Sequence, residues 1–528
     1  KEKISEPTLA PQLKATETIT GTYGTSPYTL DPDTGILEFG AGTLAEGAIN
    51  NSTEFASYVS MIKKIKFSTG AKLPSDSHSM FMYLPNLEKF DSANLDTSEV
   101  TTMVDMFYES KASTLDVSNF DTGKVTDMRW MFAYSAATTI DVSSFDAESV
   151  VDMGYMFQGS KASILNLSGI DTSAVTDMRN MFAYSDATTI SLSDFKTKSV
   201  TDMQYMFAYS DATTLDLSSF NTSEVTNMTH MFGGSKATVI DVSSFSTNAV
   251  TDMQYMFTDS AATTLNLSGF NTGSVTNMNA MFYNSAATTI NLSGFDTSKV
   301  TSMRYMFYGS KASTLDLSGF DTSKVNDMYY MFCGSKATML DLSGFNTSEV
   351  TDMSGMFYNS VATTLYLSNF DTSKVIDMSY MFAGSKATTL NLNSFDTSAV
   401  TNMSYMFYYS DAATIDVNSF DTSEVTNMNY MFYQTNVQAL DLSHFIFAQG
   451  CTVENMLYTY NRSLWKLTLG ANETFHDNAN IQNPTVGSTI PGASNDYVSG
   501  KCWQIVGEGT DHAPTGAKIS GADIPSDS

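Results

Sequence analysis

From Val100 to Val425 the apolar positions recur every 25 residues without insertion or deletion, giving fourteen copies of one unit. In the copy VTSMRYMFYGSKASTLDLSGFDTSK the apolar residues are Val300, Met303, Met306, Phe307, Ala312, Leu315, Leu317 and Phe320. The first four stand at i, i+3, i+6 and i+7, which predicts a short helix with one buried face. Thr301 and Ser302, or Thr126 and Asp127 in an earlier copy, can cap its start. Leu315 and Leu317 flank Asp316, the alternation of a strand with one buried side. Asp321-Thr322-Ser323 and Gly309-Ser310 supply the turns.

A unit of this length cannot bury its apolar face alone, so successive copies must stack as coils of a solenoid. The expected fold is an α/β repeat solenoid. Its leucine-rich-repeat-like coils each hold a short parallel strand plus a helical turn, with small β-rich modules at the ends. Strands about 4.8 Å apart would make the fourteen coils a rod of roughly 60 Å. Methionine fills every 103 + 25n and 106 + 25n position, 28 of the 33 in the chain, beside an unbroken phenylalanine file from Phe107 to Phe432. That register places methionine in the lumen as a gap-filler rather than on a soft binding surface.

Outside the repeat, residues 1–20 read as a polar leader. Residues 21–72 read as a β-rich cap, with 28–30 and 36–39 forming a hairpin and Ile62, Ile65 and Phe67 a further strand. Such a cap covers the lumen and strand edge that a terminal coil would expose. The solenoid itself spans 73–470, with degenerate coils at both ends, and residues 471–528 read as a small β module or tail.

The pattern VTDMxxMF followed by LDLSxFDTS resembles the BspA-like leucine-rich-repeat surface proteins of bacteria, many from lactobacilli and other Gram-positive commensals. The resemblance covers residues 81–469. The flanks GTSPYTLDPDTGILEFGAGTL and LTLGANETF…CWQIVGEGT…PTG look like the modules that bracket such repeats. The resemblance implies a secreted, wall-associated adhesin at the bacterial cell surface. Its partners would be host or bacterial cell-surface glycoproteins, mucin or extracellular matrix protein. The family carries no agreed catalytic residues to transfer.

A net charge of −29 argues against nucleic acid and anionic membrane surfaces, which require basic patches, and suits a solvated monomer. No apolar run approaches a membrane span, so membrane insertion is not expected. The first residues, KEKISEPTLAPQ, lack the apolar core of a signal peptide, so an exported protein would be represented here in mature or trimmed form. Three cysteines give no disulfide framework, although Cys451 with Cys502 could bridge the last coil and the tail, leaving Cys333 a lone thiol.

Candidate chemistry is sparse. Asp33-Thr34-Gly35 and Asp121-Thr122-Gly123 spell an aspartic-protease triplet, but both sit where turns are expected, and that chemistry needs two carboxylates sharing a proton in a cleft. The five histidines share no metal-ligand spacing, and no coil is interrupted by an irregular loop, so no enzyme is expected. The outward strand position holds Asp116, Asp141, Asp216, Asp241, Asp316, Asp341, Asp416 and Asp441, in pairs separated by neutral coils. Neutral coils would limit like-charge repulsion or record duplication of a four-coil block; alternatively each pair clamps a Ca²⁺ ion, the one cofactor considered.

A second outward row is aromatic, comprising Tyr305, Tyr330, Tyr380, Tyr405 and Tyr430 with Tyr308, Tyr358 and Tyr408 nearby. Exposed rings can stack on sugars or anchor proteins; in a purely structural role each would seal its neighbour's convex side. The flat threonine-rich strand face carries too many charges for an ice-binding surface. The leading expectation is therefore a surface adhesin that binds glycans or matrix proteins through the exposed faces of a rigid repeat rod. The alternative is a passive spacer projecting another domain from the cell wall.

Overall fold

The computed structural model describes residues 17–459, 464–470, 479–483, 485–487, 489–490, 498–499, 502–521 and 524. The expected leader therefore lies almost wholly outside the described residues, as does much of the expected C-terminal module. The chain divides into two compact units, Lys1–Val200 with Tyr209–Phe220, and Thr201–Ala208 with Asn221–Ser528.

The first unit begins with a hairpin. Strands β1 (Ile19–Tyr23), β2 (Ser26–Asp31) and β3 (Ile36–Phe39) pair antiparallel in sequence. The β2–β3 turn holds the Asp33-Thr34-Gly35 triplet, its amides bonded to Asp31 Oδ1 at 2.9 and 3.3 Å, with Gly35 at φ 71. From β3 onward the pairing becomes parallel, through Lys64–Phe67 and Lys89–Asp91 to Thr114–Asp116. The hairpin thus covers the sheet edge that the first coil would leave open. Thr139–Asp141, Ile164–Asn166 and Thr189–Ile190 continue in parallel, each residue opposite the one 25 positions on.

The second unit repeats this register. Thr264 faces Thr289, Met339 faces Thr364 and Thr389 faces Thr414. The offset grows by two residues where Ala439 faces Lys466, because the last coil departs from the repeat. Near the C-terminus Trp503–Gln504 and Lys518–Ile519 pair antiparallel. No disulfide joins Cys451 to Cys502.

Within each unit the lumen is filled as the spacing requires. Val300, Met303, Met306, Phe307 and Ala312 are fully buried, and Phe307 and Phe332 stack with centroids 5.6 Å apart. Thr322 is also buried: its Oγ1 donates to the Asn346 carbonyl of the next coil at 2.8 Å.

The helical turn expected at each Val-x-x-Met-x-x-Met-Phe run is absent. Among the described residues the helical pieces are 3-10 turns at Ile49–Asn51 and Val59–Met61, both in the cap. The run instead folds as successive three-residue turns. The amides of Met306, Tyr308 and Ser310 donate back to Met303, Tyr305 and Phe307 at 3.0–3.2 Å. Those of Met303, Tyr305, Phe307 and Gly309 donate to Asp327, Tyr329, Met331 and Cys333 of the next coil at 2.7–3.1 Å. A helix is excluded because Tyr305 and Gly309 are left-handed, at φ 56 and 61. These turns, each closed over three residues and starting every second residue, bury Val300, Met303 and Met306 at the i, i+3, i+6 spacing of a helix face, which is why the periodicity alone pointed to one.

Candidate functional site

The turn segment, not the strand face, brings the chemistry-bearing side chains together. Tyr305, Tyr330, Tyr380, Tyr405 and Tyr430 all occupy the left-handed position, with φ between 52 and 59, and are half-buried. Tyr308, Tyr358 and Tyr408 lie three residues on, also half-buried. The two rows interlock. Tyr380 stacks on Tyr405 at 4.6 Å and Tyr405 on Tyr430 at 4.8 Å. Tyr305 meets Tyr308 edge-on at 5.9 Å, and Tyr358 links Tyr330 to Tyr380 at 6.0 Å on either side. From Tyr283 to Tyr458 the rings form one connected network in the second unit, joined through Tyr433 at its far end.

Stacking consumes ring faces, so the rows present edges and phenol oxygens. Burial pushes Tyr330, Tyr380, Tyr405 and Tyr408 upward. The Cys333 thiol and then burial push Tyr308 up to about 12. Burial also pushes the Cys333 thiol up to about 12, which makes it a poor nucleophile. His230 replaces tyrosine in one coil, stacked on Tyr205 at 4.7 Å, and burial lowers its pKa.

The eight outward aspartates each commit one oxygen locally, although the strand expected around Asp316 is absent and Leu315 there is half-buried, and Asp216 and Asp241 lie just past their strands. Asp316 Oδ1 accepts the Ser318 amide at 3.1 Å and hydroxyl at 2.6 Å, and Asp116, Asp141, Asp216, Asp241 and Asp341 repeat the motif closely. Asp416 and Asp441 accept the amides of Asn418 and Ser443. Asp141 also takes the Asn166 amide at 3.0 Å. Among the described residues no three His, Cys, Asp or Glu side chains form a group that could hold a metal. A Ca²⁺ bridge would have to be built on the second oxygens of two stacked carboxylates.

A further acidic file went unrecognised in the sequence, where its members looked like helix caps. Residues at 102 + 25n form single parallel bridges from coil to coil, and many are aspartate. Most accept the amide two residues on, as Asp327 Oδ1 does from Tyr329 at 3.0 Å; at Ser302 the Arg304 amide goes instead to Asn279 Oδ1 at 3.1 Å. Their other oxygens take longer side chains. Arg129 Nη2 lies 2.7 Å from Asp127 Oδ2 and its Nε 3.5 Å from Asp152. Arg179 pairs with Asp177, while Gln204, Gln254 and Asn402 reach Asp202, Asp252 and Asp377 at 3.0–3.2 Å. Arg304 Nη1 is 3.0 Å from Asp327 Oδ2, with its guanidinium 4.6 Å from the Tyr329 centroid. The mixture of Asp, Asn, Ser and Thr at this register was the available signal, being the set that closes side-chain turns.

No curated protein matches the chain. It is similar to a solved leucine-rich repeat protein from Eubacterium ventriosum ATCC 27560, at 16% identity over 77% of this chain and 92% of that one, with a TM-score of 0.31. The family described as "Mycoplasma protein of unknown function, DUF285" matches four overlapping stretches, residues 75–189, 160–270, 260–367 and 361–464. Those stretches cover the repeat coils of both units, and the chain belongs to this family.

Proposed function

We propose that this protein is a non-enzymatic binding protein of the BspA-like type. It acts as an adhesin outside the cell, at the bacterial surface, and binds host or microbial glycoproteins, mucin or matrix protein. The observation that carries this reading is the tyrosine network running from Tyr283 to Tyr458, a contiguous set of half-exposed phenols on regular coils. Tyrosine provides large rigid contact area with a hydrogen-bonding tip at low entropic cost. The net charge of −29 favours partners other than nucleic acid, and among the described residues no helix is long and apolar enough to cross a membrane.

The test is binding of the full chain to an array of glycans, mucins and matrix proteins. Specific capture supports an adhesin. A blank array with demonstrably folded protein removes the reading in favour of a passive spacer, which the mutual stacking of Tyr380, Tyr405 and Tyr430 favours as the second interpretation.

A further inference from the structure

A second ring file runs through the first unit, at the register that holds Tyr134, Gly159, Tyr184 and Tyr209 in successive coils. All four residues are left-handed, with φ between 54 and 62. Tyr184 and Tyr209 stack 4.9 Å apart, with 11° between their planes. One coil step in this file therefore sets two rings at stacking distance. Tyr134 and Tyr184 are two steps apart, roughly 10 Å at the usual strand spacing, and the step between them carries no side chain.

The file thus lacks one ring, at Gly159. The edge of the Tyr134 ring rests on that glycine, where a Cβ would come within 2.5 Å of it. Among the described residues no ring stacks on Tyr184 except Tyr209, so its other face is open. Tyr134 and Tyr184 are 41% and 49% exposed, unlike the half-buried Tyr380, Tyr405 and Tyr430. Neither of the two phenol groups makes a hydrogen bond among the described residues. Gln158, the residue before the gap, is nine-tenths buried, yet its side-chain oxygen has no hydrogen-bond partner. It lies in file with the small, buried Ala133 and Ala183, and its backbone carbonyl accepts the Tyr134 amide at 2.7 Å. An unused acceptor therefore stands beside the missing ring.

We propose that Tyr134 and Tyr184 bound a slot at Gly159 that takes one pyranose ring of a glycan whose ring substituents are all equatorial. Such a sugar presents C–H groups on both faces, which suit the negative faces of aromatic rings, and hydroxyls around its rim. The rim hydroxyls meet the two phenols and the Gln158 amide. A flat aromatic ligand would match the spacing but leave those polar groups unmet. An axial hydroxyl, as in galactose, sets an oxygen against one ring and breaks the sandwich. The slot belongs to the first unit and does not rest on the tyrosine network of the second.

One sandwiched ring binds weakly, so the slot is tested with free sugars at millimolar concentration rather than by capture on a surface. Calorimetry titrates cellotriose, a β-linked glucose trisaccharide, and the matching β-linked galactose trisaccharide into the full chain. Wild type should bind cellotriose and prefer it by about fivefold, the worth of one stacking contact. Gly159→Tyr supplies the missing ring in a register that Tyr184 and Tyr209 show to accept tyrosine, and should abolish binding. Tyr184→Asn should do the same; Asn284 and Asn359 hold this register in other coils, so the fold is kept. Tyr380→Phe/Tyr405→Phe/Tyr430→Phe should bind cellotriose as wild type does. The proposal is overturned by absent cellotriose binding, by equal binding of the two sugars, by binding that survives in both folded slot variants, or by its loss in the folded triple variant. Array capture without cellotriose binding overturns the slot and leaves the adhesive reading standing. Cellotriose binding lost in both slot variants, beside a blank array, supports the slot and removes that reading.

Discussion

The amide of Phe307 donates to the carbonyl of Met331, 2.9 Å away in the next coil. That bond lies across the stack, so the turn segment binds coil to coil as the strands do. Each coil is thereby held on two sides by backbone bonds, and the left-handed residues between them are what aim alternate amides outward.

Ala280 tests this geometry. It is buried at φ 53, with its amide bonded to Arg304 at 2.8 Å. Ala280→Gly should stabilise the protein by about 1 kcal/mol, because glycine adopts the left-handed region without the Cβ clash. In a helix the same change would cost about 1 kcal/mol. The shift of the urea midpoint gives the sign directly.

Thr322 is predicted to matter more than its turn position suggests. Thr322→Val deletes the donor to Asn346 and leaves that carbonyl without its partner, a loss of about 1–3 kcal/mol. Ser323→Ala, beside it and half-exposed, keeps the backbone bond to Asp321 and should stay within about 0.5 kcal/mol of wild type in the same denaturation assay.

Stability should depend on pH through Asp352. Burial, with the charges of Asp327 and Asp377, raises its pKa above the usual carboxylate range against the opposing bonds from Ser354. A raised folded-state value means the carboxyl favours folding below about pH 4 and that this contribution is lost as pH rises through the folded value. Asp352→Asn should therefore melt higher than wild type at pH 7, with the difference vanishing below about pH 4. Thermal melts at both pH values check it; a lower melting temperature at pH 7 would contradict the assignment.

Much of this fold is legible in the chain because the repeat aligns it with itself. The lumen files of Met303, Met306 and Phe307, and the strand at residues 339–341, follow from spacing and alternation alone. The turn was misread because three-residue turns and a helix share their apolar spacing, and because tyrosine is a rare occupant of the left-handed region. A signal existed: the registers that hold Tyr305 and Gly309 also hold Asn180, Gly355, Asn284 and Asn359, residues that tolerate positive φ. The aromatic row was visible as a row, but not its stacking, since a one-dimensional pattern places rings without orienting them. The aspartate file at Asp327 and Asp352 was hidden because side-chain turns and helix caps draw on the same residues.

If edges and hydroxyls rather than ring faces make the binding surface, removing three phenol oxygens should abolish binding without disturbing the stack. The direct measurement compares wild type with Tyr380→Phe/Tyr405→Phe/Tyr430→Phe on one array of glycans, mucins and matrix proteins, with thermal melts run in parallel. The account predicts specific capture by wild type, loss of it in the triple variant and matching melts. Equal capture by both folded proteins, or none by wild type, would contradict it.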